Sequence, residues 1–349
     1  MPSMQQLNYV GTREVAWLDV PRPRLEDEHG AIVRPLVVST CDFDGAVISG
    51  LARLRGPVPL GHEGVGIVEE LGDKVTGLRL GDRVLIPWKI SCGRCTACVR
   101  GFTAQCESVV PEDAYGWGPT SAQRGAFLAD AVVVPFADHM LHPIPSDVDP
   151  LRACGVADNI TDGWRAVGTH LAARPGGSVL VVNKYGPGSI GLYAAGFAVA
   201  LGASRVVYAD HDPLRLAIAE RLGAERLVLT SADDFRNVDG TFDVTVDASG
   251  EAAYLNALLM LTGRAGVCTS VMGMLYRGGA VPFPVYEMYR RSVTFVTGWV
   301  HTSTIMSEPL DLIRRGVFDP TPITTSIVRW DDAADALVQP FTKLVISRL

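Results

Sequence analysis

Four cysteines, Cys92, Cys95, Cys98 and Cys106, fall in the string SCGRCTACVRGFTAQCES at the spacing C-x2-C-x2-C-x7-C. Soft thiolates this close together can complete a tetrahedron around one zinc ion. Such a site keeps no open position, so it builds structure and does no chemistry. A second set of potential ligands lies upstream: Cys41 in STCDFD, and His62 with Glu63 in PLGHEGVG. Taken singly, a cysteine and a histidine are more often buried and inert than ligands; their appearance beside a cysteine lobe raises the metal reading. A third feature is GPGSIG, residues 186–191, a literal G-x-G-x-x-G. A buried apolar strand precedes it and an apolar helix follows. That context puts free N–H groups at a helix N-terminus against a pyrophosphate.

The candidate dinucleotide residues are Gly186, Gly188, Ser189, Ile190 and Gly191, with Asp210 and Arg215 beyond. Asp210 ends the next strand, nineteen residues after Gly191. A carboxylate there can accept hydrogen bonds from the adenosine ribose hydroxyls and would repel a 2′-phosphate, which favours NAD(H) over NADP(H). The plainer reading of Asp210 is a turn acid before His211-Asp212-Pro213. The loop is irregular. Asn183 stands where such motifs usually carry their first glycine, and Asn183-Lys184-Tyr185 lengthen the turn, with Lys184 offering a charge to phosphate.

The elements that must carry these residues change character near residue 151. Before it, REVAWLDVPRP, GAIVRPLVVSTC, GHEGVGIVEELG, GDRVLIPW and GAFLADAVVVP read as short strands between Gly, Pro and Asp turns. They suggest a compact antiparallel β domain with an inserted cysteine lobe. After it, GSVLVVN, SRVVYAD, RLVLT, FDVTVDAS and AGVCTSV alternate with apolar helices. That pattern predicts a doubly wound parallel sheet and an α/β class. The tail from about Thr297 offers an amphipathic helix over DDAADALVQPFTKL and a last short strand; no internal repeat is visible.

Composition narrows the function classes. Of 349 residues 48% are hydrophobic, enough for a sizeable core in two domains. A net charge of -7 argues against nucleic acid as a partner. The N-terminus lacks the basic and apolar regions of a signal peptide. The longest apolar run, residues 190–203, is too short to span a bilayer. Seven cysteines in a chain of this size suit metal-bound thiolates in a reducing cytoplasm better than a secreted disulfide framework.

Cys41 with Asp44, GHEGVG at 61–66, GDRV at 81–84, the cysteine lobe, the Gly-rich loop with Asp210 and the order of domains together resemble a zinc-dependent medium-chain dehydrogenase/reductase of the alcohol dehydrogenase kind. The resemblance covers essentially the whole chain. It implies a GroES-like β domain with a structural-zinc lobe (1–159), a Rossmann NAD-binding domain (160–296) and a C-terminal return to the first domain (297–349). It implies two zinc ions per chain, one of them catalytic, in the cleft between domains and held by three protein ligands with a position left for substrate.

By position Cys41 and His62 match the first two ligands, and counting back from Asp162-Gly163-Trp164 gives Asp158 as the third. Formaldehyde dehydrogenases are similar in using Asp there; Cys154 is the rival, and a helix N-cap the plain alternative for Asp158. Thiolate, neutral imidazole and carboxylate together cancel the charge of Zn²⁺. Asp44 would orient a ligand, and Glu63 would be a supporting group or a transient ligand.

The activity implied is hydride exchange between an alcohol or carbonyl substrate and NAD(H), with zinc acting as Lewis acid on the substrate oxygen. Where many members carry Ser or Thr two residues after the first ligand, this chain has Phe43; where they carry a relay histidine, it has Ala46. Glu63, Asp162, water or the substrate would then move the proton, with His301 a further candidate. Phe43, Trp88 and Trp117 are candidates for an apolar substrate pocket, or are core aromatics. Relatives are commonly homodimers or homotetramers. Two other readings stay open: a zinc-free quinone or enoyl reductase, and a non-catalytic protein that binds NAD and zinc.

Overall fold

The computed structural model describes residues 2–52, 54–276 and 279–349. The chain divides into two units. One comprises residues 1–161, 300–316 and 324–349, the other residues 162–299 and 317–323.

The first unit is built on a seven-stranded sheet whose central strand, Ala31–Ser39, is almost entirely buried. It pairs antiparallel with Glu63–Leu71 on one side and with Leu344–Ser347 on the other. The register sets Ser39 opposite both Glu63 and Val345, so residues from the two ends of the sequence meet at one point. Pro35 cannot donate to the ladder and sits where the register with Glu63–Leu71 shifts. A smaller sheet joins Ser3–Gly11 to Glu14–Pro21 and Val58–Pro59. Leu7, Tyr9, Val33, Ile86, Phe127 and Ile346 are among the apolar side chains filling the core.

The second unit holds six parallel strands in the order Glu225–Val228, Val206–Asp210, Val179–Asn183, Phe242–Ala248, Thr262–Ser270 and Thr294–Thr297. This is the doubly wound order, and it reverses between Val179–Asn183 and Phe242–Ala248. A ligand crevice is expected at the carboxyl ends of those two strands. All five residues of Val179–Asn183 are buried, as a strand covered by helices on both faces must be.

The structure departs from the sequence reading in several places. Ser3–Gly11 is a strand that the polar MQQLN stretch concealed. Thr294–Thr297 adds a sixth strand to the parallel sheet. The helix expected over residues 331–344 is only Ala333–Leu337; Pro340 ends its reach, and Leu344 already belongs to the last strand. Residues 317–323, expected in the C-terminal return, pack with the second unit, because the Phe318 ring lies 4.0 Å from that of Phe197 and 6.4 Å from that of Tyr193. Phe318→Ala should therefore lower stability by about 3 kcal/mol, read as an earlier midpoint for the second unit in chemical denaturation.

Candidate active site

Cys41, His62 and Asp158 come together in the first unit, each buried, with one potential ligand atom apiece and all three atoms within 4.8 Å of one another. Cys41 caps the helix Asp42–Ile48: its sulfur accepts from the Phe43 amide at 3.4 Å, and its own amide donates to Asp44 Oδ2 at 2.8 Å. Gly61, with φ 87°, turns the chain into the strand that begins at Glu63; a Cβ there would lie 3.0 Å from the Leu128 amide and from Val38 Cγ1. The turn presents His62 with Nδ1 3.5 Å from Asp44 Oδ1 and Nε2 3.4 Å from Asp158 Oδ2. Asp44 thus favours the proton on Nδ1 and leaves Nε2 for the cluster. Asp158 follows the short helix Cys154–Ala157. Cys154 is not in the group; its sulfur lies 3.4 Å from the Leu151 carbonyl.

The donor set fits zinc in its chemistry: one soft sulfur, one imidazole and one carboxylate. Burial, with the Asp158 charge beside it, pushes the Cys41 thiol well above its ordinary range. A cation held between the sulfur and the carboxylate would offset that cost and keep the sulfur as thiolate.

Glu63 is not among the three grouped donors. Its carboxylate is fully buried and committed to three donors. The Lys343 ammonium and the Ser39 hydroxyl, at 2.8 Å, meet Oε1, and the Asn159 amide meets Oε2 at 2.9 Å. Burial drives this carboxyl's pKa upward, and Lys343 pulls against it. Lys343 also donates to the Thr40 carbonyl at 2.6 Å. Every candidate ligand therefore adjoins in sequence a residue held by this one ion pair: Thr40 before Cys41, Glu63 after His62, Asn159 after Asp158. Lys343, Ser39 and Asn159 were missed in the sequence reading. The one available signal was an isolated lysine inside the otherwise apolar run FTKLVIS.

Beside the cluster, the Trp117 ring stacks on Trp88 at 5.8 Å and meets Phe43 edge-on at 5.4 Å. Gly116, with φ 80°, brings this segment in; a Cβ there would lie 3.8 Å from His62 Cβ. His301, a candidate for proton transfer, instead accepts the Ala104 amide on Nδ1 at 3.1 Å and packs against Phe102.

The four lobe cysteines form a second group with sulfurs within 4.8 Å of one another. Backbone amides point at them: Cys95 N lies 3.3 Å from Cys92 Sγ, Cys92 N 3.3 Å from Cys106 Sγ, and Glu107 N 3.4 Å from Cys95 Sγ. Such donors stabilise thiolates and fix their directions.

In the second unit Gly188, with φ 77°, caps the helix Ser189–Ala200, so Ser189 and Ile190 form its first turn. Gly191 lets that helix approach the sheet; a Cβ there would lie 3.2 Å from that of Ala248. Asp210 is fully buried, and each of its oxygens accepts three hydrogen bonds. Arg215 grips it bidentately, Nε to Oδ2 at 2.7 Å and Nη2 to Oδ1 at 2.8 Å, and donates from Nη1 to the Gly186 carbonyl at 3.1 Å. Despite the cost of burial, these donors hold the Asp210 carboxyl below the usual carboxylate range. Asp210 is thus more than a plain turn acid: donors from its own unit enclose the carboxylate. Lys184, offered to phosphate in the sequence reading, is ion-paired with Glu251 and lies over the rings of Tyr185 and Tyr254.

Comparison with known proteins gives the family. The alcohol dehydrogenase GroES-like domain pattern matches residues 27–146, and the zinc-binding dehydrogenase pattern matches residues 189–315. The chain belongs to the zinc-type medium-chain dehydrogenases. Within that family it is 28% identical to an uncharacterized zinc-type alcohol dehydrogenase-like protein, AdhB, of Bacillus subtilis, over 95% of this chain and 94% of the relative. It is 29% identical to a glutathione-independent formaldehyde dehydrogenase of Pseudomonas aeruginosa, over 79% of this chain and 73% of the relative. The structure of alcohol dehydrogenase TADH from a Thermus species superposes with a TM-score of 0.88 at 27% identity, covering 99% of each chain. The fold is accordingly the GroES-like and Rossmann pair, and the protein is an alcohol dehydrogenase-type oxidoreductase. No helix among the described residues is long and apolar enough to cross a membrane.

Lys343→Ala would leave Glu63 buried with no cation beside it and should cost about 3–5 kcal/mol. Thermal denaturation should show the loss, and zinc analysis should show weaker retention; Lys343→Arg should recover part of both.

Proposed function

We propose that this protein is a zinc- and nicotinamide dinucleotide-dependent oxidoreductase that moves a hydride between a small alcohol or carbonyl substrate and the cofactor. The observation that carries the proposal is the trio of Cys41, His62 and Asp158, three converging donors of zinc-ligand type. A zinc ion held there supplies Lewis acidity toward a substrate oxygen. Asp44 keeps His62 in the tautomer that offers Nε2, and Glu63 with Lys343 holds the backbone next to each ligand. Phe43 brings no hydroxyl to the neighbourhood of Cys41, so the alcohol proton leaves through water or through the substrate itself.

Phe43 and Trp117 meet edge-on with Trp88 stacked behind them, and flat, apolar faces of this kind favour planar, apolar substrates. A second zinc in the cysteine lobe serves the fold. The likeness to dehydrogenases supports self-association as a dimer or tetramer. Seven unpaired cysteines support a reducing, cytoplasmic setting. The zinc-free reductase reading is disfavoured, since it gives no role to the converging trio.

On purified protein, metal analysis should find about two zinc ions per chain. Cys41→Ser and Asp158→Ala should each lose one of them while the fold persists, and Cys92→Ser should lose the other with a fall in melting temperature. Absorbance of the reduced nicotinamide should report turnover across a panel of alcohols and aldehydes, strongest for aromatic ones. A chain that binds nucleotide and zinc but turns over none of them is not this enzyme. Trp117→Ala should raise KM for aromatic alcohols by about tenfold, the equivalent of losing roughly 1.4 kcal/mol of contact.

A further inference from the structure

Trp117 stands on a short return of the chain, residues 113–124, whose two ends are joined by one buried carboxylate. Asp113 has no solvent access. Its Oδ1 accepts the Thr120 hydroxyl, and its Oδ2 accepts Arg124 Nε at 3.0 Å. Arg124 Nε also lies 3.0 Å from Thr120 Oγ1, so the three side chains form a closed triangle. Arg124 is partly exposed and reaches inward from the surface. A second cation, the Lys89 ammonium, is buried and attracted to the same carboxylate. Burial pulls its pKa down to about 8, while Asp113 and then Glu112 draw it up.

The backbone between these side chains is built to turn. The Asp113 amide donates to the Val110 carbonyl at 3.0 Å. Glu112 before it is held at φ 65°, a left-handed conformation that a non-glycine residue keeps only where its surroundings enforce it. A Cβ on Gly118 would fall 2.3 Å from the Ala114 amide nitrogen and 2.7 Å from its carbonyl oxygen, so the chain folds back directly over Ala114. The Ser121 amide then donates to the Gly118 carbonyl at 2.9 Å, and the Arg124 amide to the Thr120 carbonyl at 3.0 Å. Tyr115 anchors the outgoing limb. It is fully buried, its hydroxyl donates to the Val133 carbonyl at 2.9 Å, and its ring packs 4.8 Å from that of Phe127. Across Gly116, at φ 80°, the chain turns and sets Trp117 against Trp88 and Phe43.

Resting on the aromatic-substrate reading above, we infer that Asp113, Thr120 and Arg124 are positioning residues: their clasp holds Trp117 in place and thereby sets the preference for flat, apolar substrates. The ring stack by itself ties Trp117 weakly, since an aromatic contact contributes little beyond the area it buries. Hydrogen bonds to a charged group are stronger than neutral ones, and a buried setting strengthens them further. Joining residues 113 and 124 removes freedom that a loop of this length otherwise keeps at its tip. With the clasp cut, Trp117 samples positions off the Trp88 face. Binding an aromatic substrate then includes the cost of reordering that ring. A small aliphatic substrate makes no such demand.

Steady-state kinetics of the zinc-loaded, full-length protein with benzyl alcohol and with ethanol, beside hydrogen exchange of residues 114–121, test the clasp. Arg124→Gln and Thr120→Val cut it without touching the buried carboxylate. They carry less risk to the fold than Asp113→Asn, which removes the charge facing Lys89. Each should raise KM for benzyl alcohol by about fivefold, while kcat and the KM for ethanol stay within about twofold. Exchange in residues 114–121 should quicken. Thr120→Ser, which keeps the hydroxyl, should behave as wild type. Folded Arg124→Gln and Thr120→Val variants with an unchanged KM for benzyl alcohol, where Trp117→Ala raises it, overturn the inference and leave the aromatic reading intact. Where Trp117→Ala leaves that KM unchanged too, the aromatic reading falls, and exchange alone decides whether the clasp holds Trp117: quicker exchange upholds it, wild-type exchange overturns it.

Discussion

One buried ion pair, Glu63 with Lys343, is the constraint on which the first unit's chemistry depends. Both side chains are essentially without solvent access, at 0% and 1% exposure. Removing two charges from water is costly, and mutual attraction offsets that cost only when the geometry is good and further hydrogen bonds fill the remaining directions. Here the further bonds come from Ser39, Asn159 and the Thr40 carbonyl. The pair thus fixes three stretches of backbone, and each of those stretches carries one donor of the trio. Cys41, His62 and Asp158 are far apart in sequence, and what holds them in register is a contact that none of them makes.

The second unit uses a buried pair differently. Asp210 and Arg215 lie five residues apart, so their contact is local and joins a strand end to the first turn of the next helix. Its reach comes from the Arg215 bond to Gly186, which ties the glycine-rich turn to the same anchor. The extra length of that turn is absorbed by a second tie, Lys184 and Tyr185 onto Glu251. A loop usually left open by its glycines is here braced from two sides.

Features resting on spacing within a short segment were legible in the sequence: the cysteine lobe, the Gly-x-Gly-x-x-Gly turn and the alternation of strands and helices. The choice of Asp158 over Cys154 was also legible, because it follows from a count along one segment and from charge balance. Features that depend on register between distant strands were not. Lys343 acquires its role because Ser39 faces Glu63 on one side and Val345 on the other. The state of Asp210 was hidden for another reason: an acidic residue at a strand end looks the same in sequence whether it is open or enclosed, and Asn183, Tyr208 and Arg215 decide which only in three dimensions. The C-terminal helix was overread because its apolar periodicity ran on past Val338 into residues that pack as a strand.

That Lys343 lies 280 residues beyond Glu63 has a consequence for biosynthesis. A ribosome delivers all three donors and Glu63 long before it delivers the lysine that neutralises Glu63. Until the strand Leu344–Ser347 takes its place beside Ala31–Ser39, the nascent sheet carries a carboxylate with no counterion at its centre. The first unit therefore closes only once that strand is made, and a chain cut short before Lys343 never completes the centre.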